Sequence, residues 1–593
     1  MTSAPVATEP EPTHTQPTTR IGRMQLAVIG GVIVLAATIG LVLGLVVLSG
    51  RGESALGPSA SYVPADAAMY MEARLDLPAG QRASLRAILE RFPAVNPDDV
   101  LGAALAETLD EALSSSTNAS IDYSTDVAPW FDGRVAIALL DYPLNADPMA
   151  MELPSTAALL GVRDLAAATS FADAVRAELA PAGASFSSSE HAGVTIWSLE
   201  VDAVTEMPMG GVGFAYAVTD DQLLLANGLG TIETLLDVQG GSGESLAQRD
   251  ELADLTAHLP DEWTGVMTLD LEAMMAATRA QLETSSPELA DALSGYLDAI
   301  PSFVVTTIGV EDDAVRFDGV TTKPGGDFAP SNGARELAAS VPGDAIFFAD
   351  GPNVGSGLTQ AITGMRAILA AAPEGATVGE QIEQAEAVLG ADLEDFVSWI
   401  GSGAIAAGSD GSTPWFGLVL EASDPAAAEL RLGQLRALVE LAAMDPSAQV
   451  EVSTEDIGGV EVTSISVATD STGGLMPVTE FVVQYALDGE TAVIGFGDSF
   501  VGRALAVAPG ASLADSERFG VAIERFGGDD NAGAFFLDLV ALRDAVEMAV
   551  PDIDAMPGYA TEVRPNLDPL DYLAGVTRVE DGAVVSRYGL VLR

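Results

Sequence analysis

The chain has 593 residues, 48% of them apolar, with 86 acidic against 26 basic side chains and a formal charge of −60. That balance excludes a nucleic-acid binder, which needs a basic face to displace counterions, and an anionic membrane surface would repel it. There is no cysteine, which removes disulfides, thiolate nucleophiles and Cys-based zinc sites.

The length accommodates roughly three or four domain-sized units. Residues 1–23 are rich in Pro, Thr and Glu, the composition of a disordered tail. Leu26 to Leu48 then run without a charge. At about 1.5 Å per residue such a helix spans roughly 30–35 Å, a bilayer core. The run is too long for a cleaved signal peptide, so residues 24–49 read as an uncleaved transmembrane signal anchor. Arg20 and Arg23 precede it, which orients the tail to the cytoplasm and the body outside the cell membrane. Gly40 and Gly44 form a small-xxx-small pair that suits close helix approach and a homodimer; glycine is also simply common in such helices. Residues 50–61, "GRGESALGPSAS", read as a spacer.

Beyond the spacer the chain repeats itself. "YVPADAAMYMEARLDL" at 62–77 returns as "SVPGDAIFFAD" at 340–350. "DVAPWFDGRVAIAL" (126–139) returns as "DFVSWIGSGAIAAG" (395–408), which places Trp130 opposite Trp399. "SLAQRDELADLTAHLPDEWTGVMTLDL" (245–271) matches "SLADSERFGVAIERFGGDDNAGAFFLDL" (512–539), and "GVEDDAVRFDGVTT" (309–322) matches "RVEDGAVVSRYGLVL" (578–592). The order is kept, so two tandem copies are expected, at 62–324 and 340–593, joined by a Pro/Gly/Asn-rich linker at 325–339.

Within each copy, short alternating runs such as "RVAIALLD" and "AVRFDGVTT" predict strands. "LAAATSFADAVRAELA" and "ELADLTAHL" carry helical apolar spacing. Acidic turns at Glu311-Asp312-Asp313 and Glu580-Asp581-Gly582 predict hairpins. The expected fold class is α+β: a mainly antiparallel sheet with helices on one face, in each of two units behind one transmembrane helix.

The opening phrase, the "DVAPWFDGRVAIAL" block and the "SLA…LP…G…LDL" block together resemble an uncharacterised family of bacterial membrane-anchored proteins catalogued as domain of unknown function thirty-three fifty-two. The resemblance covers nearly everything after the anchor. It implies an extracytoplasmic α+β body and supplies no catalytic residue.

The chemistry is narrowed by elimination. Lys323, the single lysine, lies in "TTKPGG", so there is no Walker A loop, Ser-x-x-Lys nucleophile or kinase lysine. His14 is in the tail, leaving His191 and His258 for a triad; neither recurs in the other copy, which argues against histidine catalysis. "GFGDSF" (495–500) and its counterpart "ANGLGT" (226–231) read as strand-to-helix turns with Asp498 or Ser499 as cap, rather than as phosphate loops. "GGDD" (527–530) and "VEDD" (310–313) lack a calcium-loop pattern and read as solvated turns. Trp130 and Trp399 read as core anchors, and Asp66, Asp344, Asp270 and Asp538 as turn and cap residues.

No catalytic, metal or cofactor residues emerge. The expectation is a non-enzymatic envelope protein that binds a ligand or partner. The alternatives are a lipid or hydrophobe carrier, with "EMPMGGVGF" and "GLMPV" as Met-containing loops, and a carboxylate-dependent hydrolase.

Overall fold

The computed structural model describes residues 56–75, 79–101, 122–141, 154–179, 185–200, 214–324, 329–334, 336–371, 375–410, 413–444, 449–468, 480–497, 499–550, 553 and 556–593. The expected anchor at 24–49, with Gly40 and Gly44, lies outside these residues, as do His14, Asp498 and the methionines of the two Met-containing loops. Among the described residues no helix is long and apolar enough to cross a membrane.

Among the described residues, twenty strands form one antiparallel sheet with helices packed against it. The first half contributes β1 (Met69–Arg74), β2 (Phe131–Leu139), β3 (Thr156–Val162), β4 (Ser185–His191), β5 (Val194–Glu200), β6 (Ala215–Val218), β7 (Gln222–Ala226), β8 (Gly265–Asp270), β9 (Phe303–Glu311) and β10 (Ala314–Thr322). The second contributes β11 (Ala345–Gly351), β12 (Ile400–Asp410), β13 (Thr413–Ala422), β14 (Val450–Ile457), β15 (Val460–Ala468), β16 (Glu480–Asp488), β17 (Thr491–Phe496), β18 (Gly533–Asp538), β19 (Leu570–Glu580) and β20 (Ala583–Leu592).

Following the ladders from one edge gives 4-5-6-7-3-2-1-8-9-10. From the other edge they give 14-15-16-17-13-12-11-18-19-20. The two runs meet where β10 pairs with β20, and Asp318 lies opposite Arg587 at the middle of that seam. The hairpins are where the acidic turns predict them: Glu311 pairs with Ala314 and Glu580 with Ala583. Gly582 has a φ of 90°, which Gly adopts without steric cost, and Asp581, at 47°, takes the left-handed conformation that Asp tolerates in turns.

Helices cover both faces, not one. In β3, Leu159 packs with Ile232, Leu235 and Leu236 of the helix Leu229–Gln239, whereas its neighbour Leu160 packs with Ala168 and Ala172 of the helix Leu165–Leu179. Successive strand residues point to opposite faces, so a run such as "TAALLGV" is apolar throughout because both faces are covered. Each half has its own main core, and the seam interleaves them: Ala583 and Val585 of β20 belong to the first core, Ala314 of β10 to the second.

The predicted spacers are shorter than the composition suggests. Pro58–Ser61 forms a 3-10 turn with Ser59 and Ala60 fully buried, and Leu56, Tyr62 and Val63 join the first core. Likewise Leu337–Ser340 is a 3-10 turn with Ala338 buried in the second core. The apolar side chains within these Gly/Ser/Pro-rich stretches decide the matter, because burial outweighs the turn-prone composition.

Candidate functional site

The repeated opening phrase has a mechanical role. Pro64 bridges to Ser245, and the Leu246 N–H donates to the Val63 carbonyl at 2.7 Å. In the second half Pro342 bridges to Ser512, and the Leu513 N–H donates to the Val341 carbonyl at 2.8 Å. Ser245 and Ser512 each open a capping box, with Gln248 and Asp515 as reciprocal partners. The phrase therefore staples the start of each half to the turn that precedes its β8 or β18 strand.

Beside the first staple lies an open cleft of about 520 Å³, lined by residues including Pro64, Asp66, Asp141, Ser155, Thr231 and Glu244. Gly230 and Thr231, from the first turn of the helix Leu229–Gln239, form one wall. Asp141 is held by the Ser155 N–H at 2.9 Å and the Ser155 hydroxyl at 2.7 Å. Three carboxylates and several hydroxyls line the cleft, with no basic residue. Its field favours hydrogen-bond donors and positive charge over anions.

Next to the same staple is a carboxylate that the sequence reading missed. Glu72, on β1, is 1% exposed. Tyr70, two residues earlier and on the same face, donates its hydroxyl to one carboxylate oxygen; the other oxygen has no hydrogen-bond partner. Gly57 packs so closely that a methyl group there would overlap the carboxylate. Burial is the largest influence and pushes the Glu72 carboxyl up to about 7, against the opposing effects of the Tyr70 hydroxyl, Arg134 and Arg74. Arg134 itself is bound by Asp132, with Nε donating at 2.6 Å. Tyr62 donates to Asp221, and burial raises its phenol well above the ordinary range. The alternation in "MYMEAR" puts Tyr70 and Glu72 on one face, a signal that was available: an acid two residues from a tyrosine on the inward face of a core strand.

The two tryptophans and the aspartates at 270 and 538 make packing and capping contacts. Trp130 and Trp399 are 1% and 4% exposed, and each sits in a smaller core beside the two main ones. Each accepts a hydrogen bond at its carbonyl from the strand end opposite, Arg163 at 2.8 Å and Ser423 at 2.9 Å. Asp270 and Asp538 cap the following helices by accepting from Ala273 and Ala541, each at 2.9 Å. The same two aspartates bind Arg249 and Arg518. Asp66 is exposed at the cleft and Asp344 pairs with Arg503.

His191 contacts Asp237 at 2.7 Å, and His258 lies 3.8 Å from Glu580. Lys323 follows the end of β10. Ser499 occupies the N-cap position of Phe500–Leu505, but its side chain makes no capping bond. "VEDD" is the β9–β10 turn, with Glu311 and Asp313 bound by Arg525. Asp529 and Asp530 lie in the loop between the helix Glu517–Phe526 and β18. Among the described residues no group of three His, Asp or Glu is placed to hold a metal ion.

A family profile described as "Protein of unknown function (DUF3352)" matches residues 28–593, which is nearly the whole sequence. The chain belongs to this family. No curated protein and no solved structure matches it. The staples, the seam and the Glu72 pocket all fall within the matched span and are therefore features of a DUF3352 body.

Proposed function

We propose that this DUF3352 protein is a non-enzymatic binding protein of the cell envelope, built from two tandem copies of one unit behind an N-terminal membrane anchor. The duplication reading is supported by the matched strand orders on either side of the β10–β20 seam and by the paired staples. Counting along the aligned copies, Asp318 corresponds to Arg587, and these two also face each other across the seam. A unit that paired with itself about a two-fold axis would place one residue opposite its own copy; here that position holds an acid in one copy and a base in the other. The anchor reading is supported by the uncharged run from Leu26 to Leu48.

Binding is carried by one observation: the cleft at Asp66, Asp141 and Glu244 combines carboxylates and hydroxyls with no histidine, lysine or arginine in its lining. Such a lining recognises a polar ligand rich in donors or positive charge. The lipid-carrier alternative rests on the apolar part of the same lining, Leu140 and Val238, and is disfavoured by the three carboxylates beside it. A second cleft, at Arg91, Arg543, Asp568, Pro569 and Arg593, is also charged. The hydrolase alternative would draw on an acid pair among the same cleft carboxylates, Asp66, Asp141 and Glu244.

The test is native mass spectrometry of the body, residues 52–593, purified from its own envelope, beside the Asp66→Asn/Glu244→Gln variant. A discrete added mass on the wild type that the variant loses supports the cleft. A bare chain, or a mass indifferent to the substitutions, removes it. Alkaline extraction of membranes, which leaves integral proteins in the pellet, tests the anchor; release of the full chain would end that reading.

A further inference from the structure

The segment that opens the body lies directly over the buried acid. Leu56–Val63 packs its apolar residues into the first core, is bound through the Val63 carbonyl, and presents Gly57 to the Glu72 carboxylate. Ionised Glu72 is held by Tyr70 alone, with one oxygen facing the strap unpartnered. A buried charge in that state favours any opening that admits water, whereas a neutral carboxyl does not. We propose that Leu56–Val63 is a proton-controlled latch with Glu72 as its switch: protonation keeps the strap clamped on the body, and ionisation loosens it.

The groups that face Glu72 bear on its strength without removing it. Tyr70 and Arg74 flank it on β1, and Arg134 and Asp132 approach from β2. On β8 its opposite residue is the apolar Val266, and the strap itself carries Tyr62 as its one titratable side chain, engaged with Asp221. Both arginines favour ionised Glu72, yet burial outweighs them, and the carboxyl titrates at about 7 when clamped. An opened, hydrated Glu72 titrates near its ordinary value of about 4.3. The linkage has a definite sign. The clamped state binds the proton more tightly, so clamping is strongest at acid pH. Opening increases by roughly fortyfold between pH 5 and 7 and levels off above.

The latch deepens the envelope reading, because the residues before the strap lead back to the predicted anchor. A loosened strap lengthens the tether and frees the body from a fixed orientation at the membrane. The latch itself does not depend on that reading, so the two fail separately.

The absence of cysteine from the natural chain allows a single reporter. Ser59→Cys places a thiol at a fully buried position of the strap. The full chain in detergent micelles is labelled with a thiol reagent from pH 5 to 9. Each rate is divided by that of the same variant unfolded in urea, which removes the thiol's own titration. The expected ratio rises by roughly fortyfold from pH 5 to 7 and is nearly flat from 7.5 to 9. In the Ser59→Cys/Glu72→Gln variant it stays flat throughout. Equal pH profiles with and without Glu72, or a ratio that falls with pH, would overturn the latch. If Ser59→Cys does not fold, hydrogen exchange at the Ala60 and Tyr62 amides of the cysteine-free chain, with and without Glu72→Gln and corrected for intrinsic rates, is read against the same outcomes.

Discussion

The two halves show matching strand orders on either side of the seam and differ in what they place on them. At one corner of the first half, Thr156 and Asn227 close the sheet with polar contacts: the Asn227 side chain accepts from the Thr156 N–H at 3.1 Å and donates to the Pro154 carbonyl at 2.6 Å. By strand register the same corner of the second half holds Phe416 and Phe496, with ring centroids 5.3 Å apart and both rings exposed. The inward acids differ too. Glu72 lies opposite Ala136 and Asp350 opposite Ala404, in matching ladders. The shorter Asp350 reaches a backbone donor, the Ala534 N–H at 2.7 Å, whereas Glu72 is capped only by Tyr70 and the strap. The joints that hold each half together are the same, and surface and proton chemistry vary around them.

Removing the equivalent tryptophans is the strongest test of the shared framework. Trp130→Ala and Trp399→Ala should each cost about 3–5 kcal/mol in urea unfolding, by similar amounts; a large inequality would break the equivalence of their cores. The Phe substitutions sharpen the comparison. The Trp130 indole donates to the Asp126 carbonyl at 2.8 Å, while that of Trp399 has no partner. Trp130→Phe should therefore cost about 1 kcal/mol more than Trp399→Phe.

The acids should separate the halves next. Glu72 has a folded pKa raised above its unfolded value, so its contribution is fully present below about pH 4.3 and is lost as pH rises through about 7. Glu72→Gln should remove that slope, and the gap between variant and wild type should change by about 3 kcal/mol between pH 4 and pH 8. Parallel pH–stability curves for Glu72→Gln and the wild type would show that burial of Glu72 carries no proton linkage.

Smaller and equal effects are expected at the helix caps. Asp270→Ala and Asp538→Ala each lose a cap and an arginine partner, at about 2 kcal/mol apiece, measurable by thermal unfolding. Smallest is the effect of salt. With a charge of −60, screening should raise the melting temperature of the body by a few degrees from about 0.01 to 1 M salt. A flat response would place the repulsion outside the folding equilibrium.

Much of the local structure was legible in the sequence. The acidic hairpin turns, the caps at Asp270 and Asp538 and the buried tryptophans depend on neighbours within a few residues, so spacing and residue type define them. The repeated phrases likewise located the staples without showing what they fasten. Of the cleft, only Asp66 was marked beforehand; Asp141 and Glu244 are far apart in the chain and meet through β2, β3 and the turn before Leu246.

What the chain determined alone is the set of strands, turns and anchoring side chains, because these follow from periodicity and short-range sterics. The tertiary structure decided the rest. It joined β10 to β20 into one sheet, covered both faces with helices, drew a Gly/Ser/Pro stretch into the core and buried Glu72 beneath it. Each of those outcomes depends on pairing or desolvation by residues tens to hundreds of positions away, and no local pattern records which distant backbone will exclude water from a given carboxylate.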